Sequence, residues 1–378
     1  MRISTLAARL SLWPHQLAAL TSAAVVRCAA VCTHAGCASL RSGHGGPVLT
    51  AASAPESVRI ALIGDCHGQW NQHDNDALVA LDADLSLFVG DFGNEDVNVV
   101  QHISCLKGRI RHASIFGNHD AFFSLRSKKH RGRHKLPELP SAEIEFCLPT
   151  FDRFPEMVKA QYELLKDCDV GWGRRHFQEL GLHVVGGRPF SAGGPSMSKF
   201  RSFYRRHWGI TRSNQSCAQI SRCLEQVPAA DDMIVIAHNG PAGLGSDAHS
   251  ICGKDWGTPP GGDWGDDDLR AALDQSLSLG ARVPLVVFGH MHESLSLGGN
   301  RRMVHVEQGT VYVNCAVVPR WRGTGGAACE RHFTLVEMSR DTNCHLTVNE
   351  VRTVWAAPSG VIRTDAVRFG RESTRQRK

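Results

Sequence analysis

Polar side chains with metal-binding chemistry stand directly after several short apolar runs of this sequence. The first run, residues 58–63, ends in GDCHG, which places Asp65 and His67 two residues apart. Side chains two apart in an extended chain point to the same side, so both can reach one point while Cys66 points away. His290 and His292 repeat this spacing. Other apolar runs are followed by further groups of this kind, namely Asp91, Asn118, His119, Asp120 and His238.

Carboxylates, imidazoles and an amide oxygen form a ligand set that suits Mn, Fe or Zn and lacks the thiolates of a typical structural zinc site. Any one such residue is more often a turn residue or a buried histidine, so the prediction depends on the whole set. A single four- to six-coordinate ion cannot use all of the candidates. The candidates therefore fit two ions bridged by a shared carboxylate.

The elements that must position these residues alternate between strands and helices. Buried strands are predicted at residues 58–63, 85–89, 113–116, 182–185, 233–237 and 284–288. Helical spacing predicts helices at residues 76–82, 97–106, 216–227 and 267–279. This alternation indicates an α/β core. Four later runs lack helices between them and predict a second, largely antiparallel sheet packed on the first: residues 302–307, 310–318, 332–338 and 345–354.

Taken in order, GDCHG, GDF, GNHD, AHNGP and GHMH resemble the five-motif signature of the calcineurin-like metallophosphoesterases, over roughly residues 57–350. The resemblance implies an α/β fold that is a four-layer αββα sandwich with two facing mixed β-sheets. It implies one ion held by Asp65, His67, Asp91 and His292 and a second held by Asp91, Asn118, His238 and His290, so that Asp91 bridges them. His119 would be the catalytic histidine near the leaving-group oxygen. Longer segments such as GDFGNEDV look like a cyanobacterial and plastid subfamily and imply no particular substrate.

The implied activity is that of a metal-dependent phosphoric ester hydrolase, which cleaves a phosphate mono- or diester of a small phosphorylated substrate by metal-activated hydroxide. Coordination lowers the pKa of water from about 15.7 to about 7. At about 1.36 kcal/mol per pKa unit, this is on the order of 12 kcal/mol, whereas acid–base catalysis by a side chain contributes about 3–5 kcal/mol. Ser/Thr phosphatases of this superfamily carry Asp-Arg-Gly after the second motif. GDFGNED lacks that arginine, which argues against their mode of phosphate binding.

Basic residues between positions 188 and 206 are the candidates for substrate binding. Arg188, Arg201 and Arg205 could hold a phosphate, and the interleaved Phe200, Tyr204 and Trp208 could stack a base. The alternative is a solvated surface whose aromatic residues are buried.

Two other functions remain open from the sequence. A nucleotide or nucleic-acid phosphodiesterase, or a nuclease, would use the basic and aromatic stretch, although the net charge of +5 does not by itself indicate nucleic acid. A non-catalytic scaffold on the same fold is the alternative of another class. Such scaffolds tend to lose metal ligands or the histidine of the GNH motif, and here Asn118 and His119 are both present.

The amino-terminal composition predicts a targeting segment. Residues 1–55 contain no Asp or Glu but include scattered arginines. We expect them to be a disordered organellar transit peptide, addressed to the chloroplast, with the mitochondrion as the alternative and a secretory signal as second choice. The apolar stretch at residues 17–26 is shorter than the roughly 20 residues that span a bilayer.

The predicted domain covers residues 56–355, with a basic surface insertion at about residues 124–155. A basic tail is predicted at residues 356–378. The 13 cysteines are odd in number and form no CxxC pair, so we expect mostly reduced thiols in the core. The sequence does not indicate an oligomeric state.

Overall fold

The computed structural model describes residues 54–126, 155–323 and 329–371. Most of the predicted transit peptide and of the predicted insertion therefore lies outside the described residues. The described helices are α1 Gln72–Ala80, α2 Val97–Ser104, α3 Phe122–Arg126, α4 Glu156–Leu165, α5 Ser196–Lys199, α6 Arg201–Trp208, α7 Ser213–Glu225 and α8 Asp267–Ser278.

The strands are distributed over the three described ranges. They are β1 Ser57–Ile63, β2 Leu85–Phe88, β3 His112–Ser114, β4 Arg174–Phe177, β5 Leu182–Gly186, β6 Asp232–Ile236, β7 Leu285–Phe288, β8 Val304–Glu307, β9 Thr310–Asn314, β10 Trp321–Arg322, β11 Glu330–Arg340, β12 Leu346–Ala357 and β13 Gly360–Gly370.

These strands form two mixed sheets. The first has the order β13-β12-β11-β1-β2-β3, with β10 beside β11, and the second has the order β4-β5-β6-β7-β9-β8. In the first sheet β1, β2 and β3 run parallel, whereas β11 is antiparallel to β1. In the second sheet β5, β6, β7 and β9 run parallel. Parallel strands bring their carboxyl ends to one edge, where polar residues can meet.

The alternation of side chains along each strand explains how the layers pack. Val58, Ile60 and Leu62 of β1 face the gap between the sheets, where they meet residues of the second sheet such as Ile234 and Val287. The intervening residues of β1 and of the other parallel strands face the helices instead. The predicted four-layer sandwich is thus confirmed: α1 and α2 cover the first sheet, and α7 and α8 cover the second.

The carboxyl-terminal strands differ from the prediction. We expected residues 302–354 to form a sheet of their own, but β8 and β9 extend the second sheet while β11 and β12 extend the first. The physical reason is that the parallel strands leave one side of β1 and one side of β7 open, and β11 and β9 supply the missing hydrogen bonds there. Hydrophobic alternation identifies a strand but does not identify its partner.

The described chain continues as a strand beyond residue 355, where a basic tail was predicted. β13 pairs antiparallel with β12, and the register shifts three times so that Ile362, Asp365 and Arg368 are extra residues in β13. The prediction is therefore wrong for residues 360–370, because this segment, with its Val and Ile residues, forms strand β13 and hydrogen-bonds to β12. Residues 372–378 lie outside the described residues.

Two further expectations can be compared with the described residues. Residues 124–126 of the predicted insertion belong to α3, and Ser124 is buried, its amide donating to Glu95 at 2.7 Å.

The described cysteines are all free thiols, most of them buried. In these same ranges of the chain, no helix has the length and apolarity needed to cross a membrane.

Candidate metal centre

The candidate ligands meet at the carboxyl-terminal edges of both sheets. Asp65 and His67 follow β1, Asp91 follows β2 and Asn118 follows β3, all in the first sheet. His238 follows β6, and His290 and His292 follow β7, in the second sheet. The site thus joins the two halves of the sandwich, and each half alone carries only part of the donor set.

The backbone at these turns is unusual. Asp65, His67, Asp91 and His290 have φ of 53°, 44°, 54° and 66°. Non-glycine residues seldom adopt this left-handed region, and each such residue costs about 1–3 kcal/mol unless its surroundings enforce it. Here hydrogen bonds join the turn after β1 to the turn after β2: the amides of Asp65 and His67 donate to the carbonyls of Gly90 and Asp91 at 3.1 and 2.9 Å.

The first group of donors consists of Asp65, His67 and His292. The Nε2 atoms of His67 and His292 are 3.0 Å apart. Asp65 Oδ1 lies 3.5 Å from Nε2 of His292 and 3.7 Å from Nε2 of His67. Asp65 is fully buried, and its carboxylate also accepts the His290 amide at 3.0 Å.

The second group surrounds Asp91. Its Oδ1 lies 3.2 Å from Nε2 of His238, and its Oδ2 lies 3.9 Å from Nε2 of His67 in the first group. Nε2 of His238 is also 3.1 Å from Oδ1 of Asn118, while its Nδ1 contacts the Val89 carbonyl at 2.7 Å. His290 completes a set of donor atoms with Asp91 and His238. One carboxylate therefore borders both groups.

Electrostatics at this edge favour positive charge. Burial opposes ionisation of Asp91, but the neighbouring His238 outweighs it and lowers the pKa of Asp91 below its ordinary value. Burial also opposes protonation of His238, yet Asp91 and Asp65 raise its pKa to about 10. Burial and the proximity of His238 lower the pKa of His290 to about 3, which leaves its imidazole neutral. Two buried carboxylates thus attract a cation, and a neutral imidazole can ligate one.

The donor atoms fit metal ligation. Metal–nitrogen bonds of about 2.0–2.1 Å place adjacent ligand atoms on one four- to six-coordinate ion about 2.8–3.4 Å apart. The separations of 3.0 Å between His67 and His292 and of 3.2 Å between His238 and Asp91 fall in this range. Three sets of donor atoms at this edge each lie within 4.8 Å of one another: Asp65, His67 and His292; Asp91, His238 and His290; and His67, Asp91 and His119.

His119 lies beside these groups. Its amide donates to Oδ1 of Asp91 at 2.7 Å, and its Nε2 is 4.0 Å from Oδ2 of the same carboxylate. Its Nδ1 contacts Oδ1 of Asn94 at 2.5 Å. Burial lowers the pKa of His119 below its ordinary value. Asn94 was not among the residues predicted from the sequence, although its place three residues after Asp91 in a short polar loop was a usable signal.

Other residues hold the ligand-bearing turns without joining the donor groups. Asp120 is fully buried and accepts the amides of Asp91, Phe92 and Gly117 at 3.0, 2.8 and 2.7 Å. A Cβ at Gly117 would lie 2.3 Å from Oδ1 of Asp91, so only glycine fits there. Asp120 stood among the polar residues noted in the sequence, but nothing in the sequence showed that its carboxylate would bind backbone amides.

Arg320 supports the first turn. Its guanidinium is buried between Trp70 and Phe333, 4.8 and 5.3 Å from the ring centroids, and donates to Cys66 Sγ at 3.3 Å. Cys66 therefore points away from the donor groups. Trp70 is 2% exposed and packs in the core.

The predicted substrate-binding arginines do not form one group. Arg188 is buried and ion-paired with Asp266 at 2.6 Å and with Asp268 at 2.9 Å, so its guanidinium is used within the fold. The prediction that Arg188 binds substrate is thus corrected, because paired carboxylates take its donors. Arg201 is exposed on α6 and Arg205 is half-buried.

The aromatic side chains of α6 are buried. Phe203, Tyr204 and Trp208 are 1%, 0% and 7% exposed, so they cannot stack on a ligand. They pack on Trp172 and Phe190 instead. Phe200, just before α6, is also buried at 7% exposure, so core packing explains the aromatic part of the pattern that suggested nucleic-acid binding.

The sequence matches the family described as calcineurin-like phosphoesterase over residues 58–294, which is more than half of the chain. No curated protein shows significant similarity to it. Similar solved structures include TT1561 of Thermus thermophilus, at 10% identity and a TM-score of 0.41, which covers 74% of this chain and 93% of that one.

Two phosphatase structures are also similar. Purple acid phosphatase PPD1 from yellow lupin is 11% identical with a TM-score of 0.36, covering 80% of this chain and 52% of that one. A dimetal phosphatase from Danio rerio is 12% identical with a TM-score of 0.32, covering 81% of this chain and 98% of that one. By its family match over the segment that carries the donor groups, this chain belongs to the calcineurin-like phosphoesterases and is a metal-dependent phosphoric ester hydrolase.

Proposed function

We propose that the protein hydrolyses phosphate mono- or diesters of small molecules with two metal ions, Mn, Fe or Zn. Asp65, His67, Asp91 and His292 would hold one ion, and Asp91, Asn118, His238 and His290 would hold the other. When bound, such a pair supplies an activated water at neutral pH and neutralises the phosphoryl oxygens. The observation that carries the proposal is the position of Asp91, whose two oxygens border different donor groups at 3.2 and 3.9 Å.

The role proposed for His119 follows from its hydrogen bonds. Because Nδ1 donates to Asn94, Nε2 is the nitrogen that can exchange a proton with the substrate. With Nδ1 protonated, His119 carries a proton at Nε2 only as the imidazolium, and in that form it can protonate the departing oxygen or donate to a phosphoryl oxygen. The amide of His119 donates to Asp91, which keeps the imidazole beside the shared carboxylate.

The proposal is tested by replacing the shared ligand in the full chain. We expect the wild type to bind two ions per chain by elemental analysis and to hydrolyse p-nitrophenyl phosphate or bis(p-nitrophenyl) phosphate with Mn²⁺. We expect Asp91→Ala to reduce kcat by at least about 10⁴-fold, since losing the ligand shared by both ions should cost more than the roughly 10²–10⁴-fold contributed by a general acid or base.

Asp96→Ala is the matched control. Asp96 lies five residues further along the same segment, and its side chain caps α2 by accepting the Asn98 amide at 3.0 Å. Its replacement should leave metal content and kcat near the wild-type values. One bound ion per chain, or an Asp91→Ala variant with wild-type turnover, would contradict the dinuclear proposal.

A further inference from the structure

A tryptophan stands exposed on the loop between β6 and α8. Trp256 is 43% exposed, and it is the one tryptophan with a largely exposed side chain in the described parts of the chain. Burying an indole is strongly favourable, so an exposed tryptophan whose position is fixed by the fold is a candidate for ligand binding. We call residues 245–265, which carry it, the tryptophan loop.

The tryptophan loop is held by many internal hydrogen bonds. The amide of Lys254 donates to Gly262 at 2.8 Å, that of Gly262 to Ser246 at 2.7 Å, and that of Trp264 to Cys252 at 2.9 Å. The indole N–H of Trp264 donates to the Ala192 carbonyl at 2.9 Å. Trp256 packs edge-on against this fixed ring, with 5.1 Å between the ring centroids. The position of the exposed indole is therefore defined by the fold.

Two contacts tie the tryptophan loop to the metal centre. Asn239, which follows the candidate ligand His238, donates from its amide nitrogen to the Trp264 carbonyl at 2.9 Å. On the other side, the buried Arg301 donates to the carbonyl of His292 at 3.0 Å and to those of Ser250 and Gly253 in the loop. The loop therefore contacts the segments that carry His238 and His292, and the His292 side chain is 41% exposed.

The tryptophan loop carries one positive charge beside its two indoles, on Lys254, together with the aspartates Asp247, Asp255 and Asp263. The Lys254 ammonium lies 5.7 Å from the centre of the Trp264 ring, and no carboxylate pairs with it among the residues the structure describes. A cation near an exposed indole and next to a phosphoester site matches a molecule that combines a flat ring with phosphate.

We propose that Trp256 stacks on the base of a nucleotide whose phosphoester lies at the metal centre, so that the substrates are nucleoside phosphates. This inference rests on the proposed function and specifies its substrate class. Every base offers a π-face, so stacking of this kind should tolerate all four bases.

The test compares substrates that differ only in the base. With the full Mn²⁺-loaded chain, kcat/KM for AMP, GMP, CMP and UMP should exceed that for ribose 5-phosphate by about tenfold, as one stacked base typically contributes. Trp256→Ala should reduce this ratio to about one, and Trp256→Phe should keep most of it. Leu279→Ala, at a 72% exposed position after α8, is the control and should leave the ratio unchanged.

A binding measurement separates this inference from the catalytic one. In EDTA, AMP should quench tryptophan fluorescence saturably in the wild type and much less in Trp256→Ala, while ribose 5-phosphate should not quench. Quenching without turnover of any phosphate would support the stacking site and count against the proposed hydrolysis. Equal kcat/KM for AMP and ribose 5-phosphate, or a preference that survives in Trp256→Ala, would overturn the stacking site alone.

Discussion

At the scale of single residues, the proposed chemistry depends on His119, whose ring is oriented by the exposed side chain of Asn94. His119 is bound to Asp91 through its amide and to Asn94 through its ring. An imidazole that rotates about χ2 presents its Nε2 in a range of directions, and proton transfer requires one of them. Asn94 is therefore a positioning residue.

We predict that Asn94→Ala lowers kcat by about 10- to 100-fold, the usual cost of losing a group that orients a catalytic or metal-binding side chain. KM should change little and the metal content should stay at the wild-type level, because Asn94 belongs to neither donor group. Steady-state kinetics with p-nitrophenyl phosphate and elemental analysis measure both.

The control for this prediction is Asn98→Ala, which removes an exposed asparagine from the neighbouring helix α2. Its kcat and metal content should match those of the wild type. A loss of metal in Asn94→Ala that parallels the loss of kcat would show that Asn94 acts on the ions instead of on His119.

At the scale of elements, a buried ion pair joins β5 to α8. Arg188 lies two residues beyond β5 and binds Asp266 at the start of α8 and Asp268 in its first turn. Ser191 also donates to Asp266 at 2.8 Å. Burial opposes the charge of Arg188, but the nearby carboxylates outweigh it and raise the pKa of Arg188 above its ordinary value. This contact fixes the far end of the tryptophan loop, since α8 begins where that loop ends.

We predict that Arg188→Ala lowers the free energy of unfolding by about 3–5 kcal/mol, because it leaves two carboxylates buried without a partner. Urea unfolding measures the effect. Arg201→Ala, at an exposed position on α6, should change stability by no more than about 0.5 kcal/mol. If Arg188→Ala instead raised KM at unchanged stability, Arg188 would be a phosphate-binding residue after all.

These elements also show what the sequence could predict. Short apolar runs that end in Gly, Asp or His mark the parallel strands well, because burial on both faces leaves a continuous apolar signal. The partners of Arg188 could not be predicted from the sequence, since Asp266 and Asp268 lie 78 and 80 residues away. For the same reason, the alternation in residues 302–354 predicted strands but not the division of those strands between two sheets. The metal-binding set could be predicted because every member directly follows a strand, whereas Trp256 lies in a loop without a pattern.

At the scale of the whole molecule, the core encloses histidines that stay neutral. His332 on β11 is 4% exposed, and its ring lies 5.3 Å from that of Trp355. Burial and the charge of Arg320 lower the pKa of His332 to about 3. Between that value and the ordinary pKa of about 6.5, the unfolded chain binds a proton that the folded chain does not. The contribution of His332 to stability therefore falls as the pH drops below about 6.5.

We predict that the His332→Leu variant loses less stability than the wild type when the pH is lowered. Chemical unfolding in EDTA at a series of pH values between about 8 and 4.5 should show the wild type losing more stability than the variant on acidification. Above about pH 7.5 the difference between the two proteins should be constant with pH, because His332 is then neutral in both the folded and the unfolded state. Identical slopes in the acid range would show that His332 does not take part in the acid sensitivity.

The three extra residues of β13 have a consequence for how the molecule behaves in concentrated solution. β13 ends the first sheet among the described strands, and its Val361, Ile362 and Val367 are 49%, 48% and 60% exposed. A regular strand with this composition would offer an unbroken row of free amides and carbonyls to another chain. The extra residues Ile362, Asp365 and Arg368 interrupt that row, and Asp365 brings an exposed charge to it. Such irregular, charged edges hinder strand-to-strand aggregation. The outermost strand can therefore keep its apolar residues without offering a regular edge to which the strands of other chains could pair.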